Sequence, residues 1–288
     1  MMTEFRQLIS TYLEHRTCWM ATQHGKGETL APLFRELGID LQTPAALNTD
    51  ALGTFTGEIE RKGSPREVAR QKCTLALELY GGDMAVASEG SFGSHPEVAF
   101  IPQHHELLFI VDRRFEWEAE VSLSTSDTNY AAAEVQNTTE LTEFLTRVKF
   151  PSHAVILSPS PTQLGEIIKG ITRTQQVLQK AEEWLEMYGS CYVQTDMRAH
   201  FNPTRMRHIE RVGRALISKI TRFCPSCSKP GFGAESWEAG LPCEACRFPT
   251  RSPLAKQLTC LSCGFEERLP YPYGKRFEDA AYCPLCNP

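Results

Sequence analysis

Eight of the eleven cysteines of this 288-residue chain lie in its last quarter as four Cys-x-x-Cys pairs: Cys224/Cys227, Cys243/Cys246, Cys260/Cys263 and Cys283/Cys286. One such pair points two thiolates at one ion, and a second pair some fifteen to twenty residues on completes a tetrahedral zinc set. Cysteines scattered through a core would not repeat one spacing four times. Disulfides are the rival, but the amino-terminal MMTEFRQLISTYLEHR is charged and lacks an apolar secretory segment, so a reducing, cytoplasmic setting is expected.

The spacing favours sequential pairing, with Cys224, Cys227, Cys243 and Cys246 on one ion and Cys260, Cys263, Cys283 and Cys286 on the other. Interleaving, first pair with third and second with fourth, would instead make a cross-braced module. No histidine follows His208, so every ligand is a thiolate. Four thiolates leave no open position for water, which makes both Zn²⁺ ions structural. Their binding would fold a short tail with little apolar surface of its own.

Length suits one sizeable domain, 1–222, followed by a cysteine-rich module, 223–288. A net charge of -5 argues against broad electrostatic attraction to nucleic acid, although local basic stretches remain. No apolar run reaches the length of a membrane span, so no membrane association is expected.

Before the cysteines, short apolar runs alternate with helical patterns. Strands are expected at Cys18–Thr22, Ile39–Thr43, Met84–Ser88, Leu107–Asp112, Trp117–Thr125, Ala154–Ser158 and Tyr192–Gln194. Helices are expected near Glu28–Leu37, Pro65–Tyr80, Thr139–Val148, Thr162–Tyr188 and Pro203–Ile220. Such interleaving predicts an α/β domain with a mixed sheet. Ser64-Pro65-Arg66-Glu67 reads as a capping box with proline at the first helical position. The last helix carries Ile209, Val212, Leu216 and Ile220 as its apolar stripe, with arginines 205, 207, 211 and 214 over the remaining surface. His104 and His105 are expected exposed ahead of a strand, and Cys18, Cys73 and Cys191 suit core positions.

Polar residues and glycines gather where strands end. Ala21-Thr22-Gln23-His24-Gly25-Lys26 is a strand-to-helix turn able to offer backbone amides and a positive charge to phosphate. The stretch from Asp50 to Arg61 mixes carboxylates with glycines and threonines. Glu89, in Ser88-Glu89-Gly90-Ser91, ends a buried strand, a costly place for a carboxylate unless a hydrogen bond or a cation meets it.

These three turns together resemble the inosine triphosphate pyrophosphatase superfamily of nucleotide hydrolases. The resemblance rests on Ala21-Thr22 and Lys26, on Glu60, Gly63, Pro65, Glu67, Lys72 and Cys73 in EIERKGSPREVARQKC, and on Glu89 in AVASEGSFG. It covers about the first third of the chain, and His24 stands where that family usually has asparagine. The resemblance implies that Glu60 and Glu89 hold Mg²⁺ or Mn²⁺, that Thr22, His24 and Lys26 touch phosphate, and that Lys72 faces the triphosphate. Arg198 and His200, in Thr195-Asp196-Met197-Arg198-Ala199-His200, stand near the place of the family's base-reading residues. The whole chain also resembles a bacterial zinc-ribbon family without an assigned activity, sharing GTFTGE, ASEGSFG and TDMRAH-x-NPTRM with it.

Two functions follow as expectations. One is a divalent-metal-dependent nucleotide phosphohydrolase, releasing pyrophosphate from a nucleoside triphosphate. The other is a non-enzymatic module whose zinc ribbons bind nucleic acid or a protein partner.

Overall fold

The computed structural model describes residues 2–22, 25–44, 63–162 and 166–288. The chain runs α1 (Met2–Tyr12), β1 (Arg16–Met20), α2 (Lys26–Arg35), β2 (Ile39–Gln42), α3 (Pro65–Tyr80), β3 (Met84–Ser94), β4 (Pro102–Asp112) and β5 (Trp117–Thr125). It continues through β6 (Ala132–Val135), α4 (Thr138–Arg147), β7 (Val155–Ser158), β8 (Ile168–Ile171), α5 (Thr174–Tyr188), β9 (Cys191–Thr195) and α6 (Pro203–Ile220). Three strands follow: β10 (Ala234–Ala239), β11 (Pro253–Thr259) and β12 (Glu266–Pro270).

The first sheet has the order β2-β1-β3-β4-β5 and is mixed, as expected. Strands β1, β2 and β3 are parallel, whereas β3-β4 and β4-β5 are antiparallel. From β1 the chain passes through α2 to β2 on one side, then through α3 to β3 on the other. That reversal makes a topological switch point between β1 and β3, where open α/β sheets bind ligands at the carboxyl ends of their strands.

Alternation along β3 assigns the two faces. Met84 and Val86 pack with Leu30, Leu33 and Phe34 of α2 and with Ile209, Val212, Leu216 and Ile220 of α6. Ala85 and Ala87 face Ala69, Cys73, Ala76 and Leu77 of α3. All four stripe residues of α6 are fully buried, each contributing roughly 1.5–3 kcal/mol relative to exposure. Gly213 allows the close approach of α2, since a Cβ there would lie 2.4 Å from Leu30 Cδ2. The capping box of α3 is present: Ser64 accepts from the Glu67 amide and the Glu67 side chain accepts from the Ser64 amide.

A second sheet, β6-β9-β7-β8, carries α4 and α5 around Phe144, Trp184 and Leu157. Here the expected long helix Thr162–Tyr188 is corrected: β8 occupies Ile168–Ile171 and the helix starts only at Thr174. Gly170, with φ +72°, and extended Arg173 interrupt any helical run. Helix α1 and strand β6 have no counterpart among the expected elements. Strands β3 and β4 run well beyond the apolar segments that signal them, because their distal halves pair with each other as a long ribbon. Among the described residues no helix is long and apolar enough to cross a membrane.

Candidate functional site

Two kinds of site emerge, one made of thiolates and one of buried charges. The thiolates group as Cys224, Cys227, Cys260 and Cys263, and as Cys243, Cys246, Cys283 and Cys286. The first pair therefore joins the third and the second joins the fourth. The module is cross-braced, which corrects the sequential pairing that the spacing favours. The reason is the antiparallel sheet β10-β11-β12: knuckles before β10 and after β11 share one end, while those after β10 and after β12 share the other.

The geometry suits zinc. Sulfur pairs lie 3.7 Å (Cys224–Cys263), 3.8 Å (Cys227–Cys260), 3.9 Å (Cys243–Cys286) and 3.6 Å (Cys246–Cys283) apart. With Zn–S near 2.3 Å a tetrahedron has an S···S edge of about 3.8 Å, and a disulfide would need about 2.05 Å. The knuckles share one fold: the amides of Ser228, Arg247, Gly264 and Asn287 donate to the carbonyls of Cys224, Cys243, Cys260 and Cys283. Ser228, Arg247 and Gly264 all have positive φ, which turns the chain back behind each thiolate pair. The two sets of four thiolates can thus hold two structural metal ions such as zinc.

The buried charges collect at the switch point. Lys26 is the first residue of α2, behind Gly25, an N-cap with φ +69°. It is 3% exposed and donates to Ser88 Oγ at 2.9 Å and Glu106 Oε1 at 3.0 Å. Glu106, on β4, has no exposed surface and is the hub of this network. It also accepts from Ser88, from Arg205 Nη2 at 3.0 Å and Nε at 3.2 Å, and meets His104 Nε2 at 2.8 Å. Arg205 is anchored in turn by the Met197 carbonyl at 2.6 Å and lies over the Phe92 ring. Gly90 makes room for this pair: a Cβ there would sit 2.3 Å from Arg205 Nη2 and 2.5 Å from Glu106 Oε2.

Electrostatics follow from burial. Desolvation lowers the Lys26 ammonium to about 8, with Glu106 opposing the fall. Burial works to raise the Glu106 carboxyl, but Arg205 and Lys26 outweigh it and hold the group well below the usual carboxylate range. His104 and His208 are both pushed down, chiefly by burial, and their rings meet edge to face at 4.6 Å. Two cations, one carboxylate and two imidazoles whose charged forms burial disfavours therefore share one buried space.

The expected site residues fall as follows. Thr22 closes β1 and is buried. Glu89 leaves β3 on the face opposite Ser88, is 2% exposed and forms an ion pair with Lys72 of α3. Thr22 and Lys26 thus stand past the carboxyl end of β1, whereas Glu89 lies in the middle of β3, which continues to Ser94, with Lys72 on the helix that covers that face. His200 adjoins Gly25, ahead of Lys26, since a Cβ on Gly25 would lie 3.6 Å from its own. Arg198 is committed to fully buried Asp196, with Nη2 2.6 Å from Oδ2, and lies over Phe201. His24 and Glu60 lie outside the described residues.

Sequence reasoning missed Glu106, Arg205, His104 and Ser88. His104, expected exposed, is 1% exposed within β4, and Arg205, expected on the outer surface of α6, is 4% exposed. The available signal was Glu106 itself, a carboxylate alternating with His104 on one face of an otherwise apolar strand. Glu67 acts as the capping partner it was read to be, and Cys18, Cys73 and Cys191 are core residues.

A search among functionally curated proteins finds no match. One family model matches residues 72–288, more than half of the chain, and carries the description "Domain of unknown function (DUF6671)". The match takes in Lys72, Glu89, Glu106, Arg205 and all eight paired cysteines. By that match the chain belongs to the DUF6671 family.

Proposed function

We propose that the switch-point crevice is a nucleotide phosphate site and that the protein is a divalent-metal-dependent nucleotide phosphohydrolase, releasing pyrophosphate from a nucleoside triphosphate. The observation that carries this reading is a pair of buried charge groups on the two faces of β3 just past the carboxyl end of β1: Lys26, Ser88, Glu106 and Arg205 on one face and Lys72 with Glu89 on the other. In keeping with the sequence resemblance, the first sheet would be an inosine triphosphatase-like core.

Among the described residues, Glu89 rather than Glu106 is the carboxylate that would take Mg²⁺ or Mn²⁺. Glu106 already receives Lys26, Ser88, His104 and Arg205, which leaves it no capacity for a metal. Glu89 is a buried carboxylate on β3 just past the level where β1 ends, and one or two carboxylates plus substrate phosphates are the usual Mg²⁺ donor set. Glu89 would hold the ion, with Glu60 as the second carboxylate implied by resemblance. Bound there, the ion would neutralise phosphate charge and acidify a water molecule.

The remaining roles belong to the chain's own groups. The amino terminus of α2 offers amides and a positive dipole end to phosphate. Lys26, clamped by Ser88 and Glu106, reinforces that field without having to reorganise. Lys72 pairs with Glu89, and with a metal on that carboxylate it would be available to the developing phosphate charge. His200, which lies against Gly25, would contact the nucleoside.

The test is turnover of a panel of normal and deaminated nucleoside triphosphates with Mg²⁺ or Mn²⁺, by wild type, Glu89→Gln and Lys72→Ala. Metal-dependent pyrophosphate release lost in both variants is expected. Wild-type protein with full zinc and no turnover on any nucleotide would refute the proposal.

A further inference from the structure

The outer face of α6 is unlike the rest of this acidic protein. Its exposed positions are Pro203, Arg207, Arg211, Arg214 and Ser218, with Arg222 just past the helix end. The only acid of that helix is half-buried Glu210, which pairs with Arg214 at 2.7 Å. Arg207, Arg211 and Arg222 have no carboxylate partner among the described residues. From Arg207 to Arg222 the row spans about 22 Å at 1.5 Å per residue.

The row does not end with the helix. A Cβ on Gly233 would lie 3.3 Å from the Arg222 guanidinium, and Lys219 donates to the Gly233 carbonyl, so the helix end abuts the start of β10. Lys219 also lies within electrostatic range of Lys256, which pairs with Glu235 at 2.6 Å. On that face of the small sheet Trp237, Lys256 and Leu269 form one cross-strand row. The Lys256 ammonium sits 5.4 Å over the Trp237 ring, and Tyr273 stacks parallel to Trp237 at 5.7 Å. Trp237 is 48% and Tyr273 70% exposed, uncommon for large rings that could have been buried.

A basic track leading to an exposed aromatic platform is the combination that holds single-stranded nucleic acid: cations follow the phosphates and rings stack on bases. We infer that a single-stranded nucleic acid lies along α6, its phosphates on Arg207, Arg211, Arg214 and Arg222 and its bases on Trp237 and Tyr273. Zinc in the cross-braced module then has the purpose of holding the platform at the end of the arginine row. This binding is independent of the hydrolase reading, since it uses neither Glu89 nor the switch-point cluster.

The experiment is fluorescence anisotropy of a labelled oligo(dT) and oligo(rU), each about 12 nucleotides long to span the row and the platform, with the full-length, zinc-loaded protein. Four phosphate contacts predict a log–log salt slope of about -2.8, or roughly a 50-fold loss of affinity between 50 and 200 mM salt. Arg211→Ala with Arg214→Ala should halve that slope. Trp237→Ala should weaken binding roughly 5- to 150-fold, and oligonucleotide should quench tryptophan fluorescence in wild type more than in that variant. All three substitutions are at exposed positions, and unchanged zinc content and circular dichroism certify their folding. Absence of binding at tens of micromolar protein in 50 mM salt would overturn the inference. So would binding that ignores both variants, or equal competition by poly-glutamate, which would make the face a dock for acidic protein.

Discussion

Replacing Glu106 with glutamine tests the switch-point cluster at its centre. The carboxylate has no solvent exposure and faces two nearly buried cations, Lys26 and Arg205. Glutamine keeps the shape and removes the charge. Whichever way the amide turns, its NH2 meets a donor, because Lys26 and Ser88 crowd one oxygen while Arg205 and His104 crowd the other. Removing one partner of a buried pair costs about 3–5 kcal/mol. Lys26 can relieve part of this by releasing its proton, since its folded value is already about 8 with Glu106 in place.

That relief gives the cost a pH dependence. A lysine whose folded value lies below its unfolded one of 10.5 loses stability as pH falls from the unfolded toward the folded value, and is level below it. In wild type that loss ends near pH 8; in Glu106→Gln, with the carboxylate gone, it continues to lower pH at about 1.36 kcal/mol per unit. The penalty should therefore be larger at pH 6.5 than at pH 8.5. Urea unfolding of both proteins at those two pH values, with zinc content verified, measures it. A loss below about 1 kcal/mol, or one equal at both pH values, would refute the account of this network.

Zinc stoichiometry separates the two pairings. Serine at Cys224, Cys227, Cys260 and Cys263 together should leave one zinc per chain, whereas serine at Cys224, Cys227, Cys243 and Cys246 should leave none; the opposite pattern would establish sequential pairing. Gly90→Ala should destabilise by about 1–3 kcal/mol, since the new methyl displaces Arg205 from Glu106, and Gly93→Ala, with open space around it, should not. Ser64→Ala removes the capping box of α3 and should cost about 1 kcal/mol in thermal or urea unfolding.

Elements announced by one consistent period were readable from the residues. Helix α6 shows its stripe and its Asn202-Pro203 start, and β5 shows strict alternation; both match their expected bounds. The eight thiolates were equally plain, because Cys-x-x-Cys fixes two ligands locally. Their partnership was not, since it depends on which strand ends the antiparallel sheet β10-β11-β12 brings together. The same distinction explains the catalytic candidates. Lys26 and Glu89 sit in segments whose local chemistry reads as turns, although Glu89 proves to lie within β3, whereas Glu106 and Arg205 are joined across 99 residues and look, in sequence, like a strand charge and a helix-surface arginine. Helix Thr162–Tyr188 failed because neither β8 nor the turn at Gly170 carries a signal strong enough to interrupt a polar, helix-compatible run.

The most direct measurement of the central claim is pyrophosphate release from a nucleoside triphosphate in Mg²⁺ or Mn²⁺, with wild type and Glu89→Gln compared at equal zinc content. The account predicts turnover that needs the added divalent ion and vanishes in the variant while both zinc ions remain bound. Turnover unchanged in Glu89→Gln, or absent from fully folded wild type on every nucleotide, would contradict it.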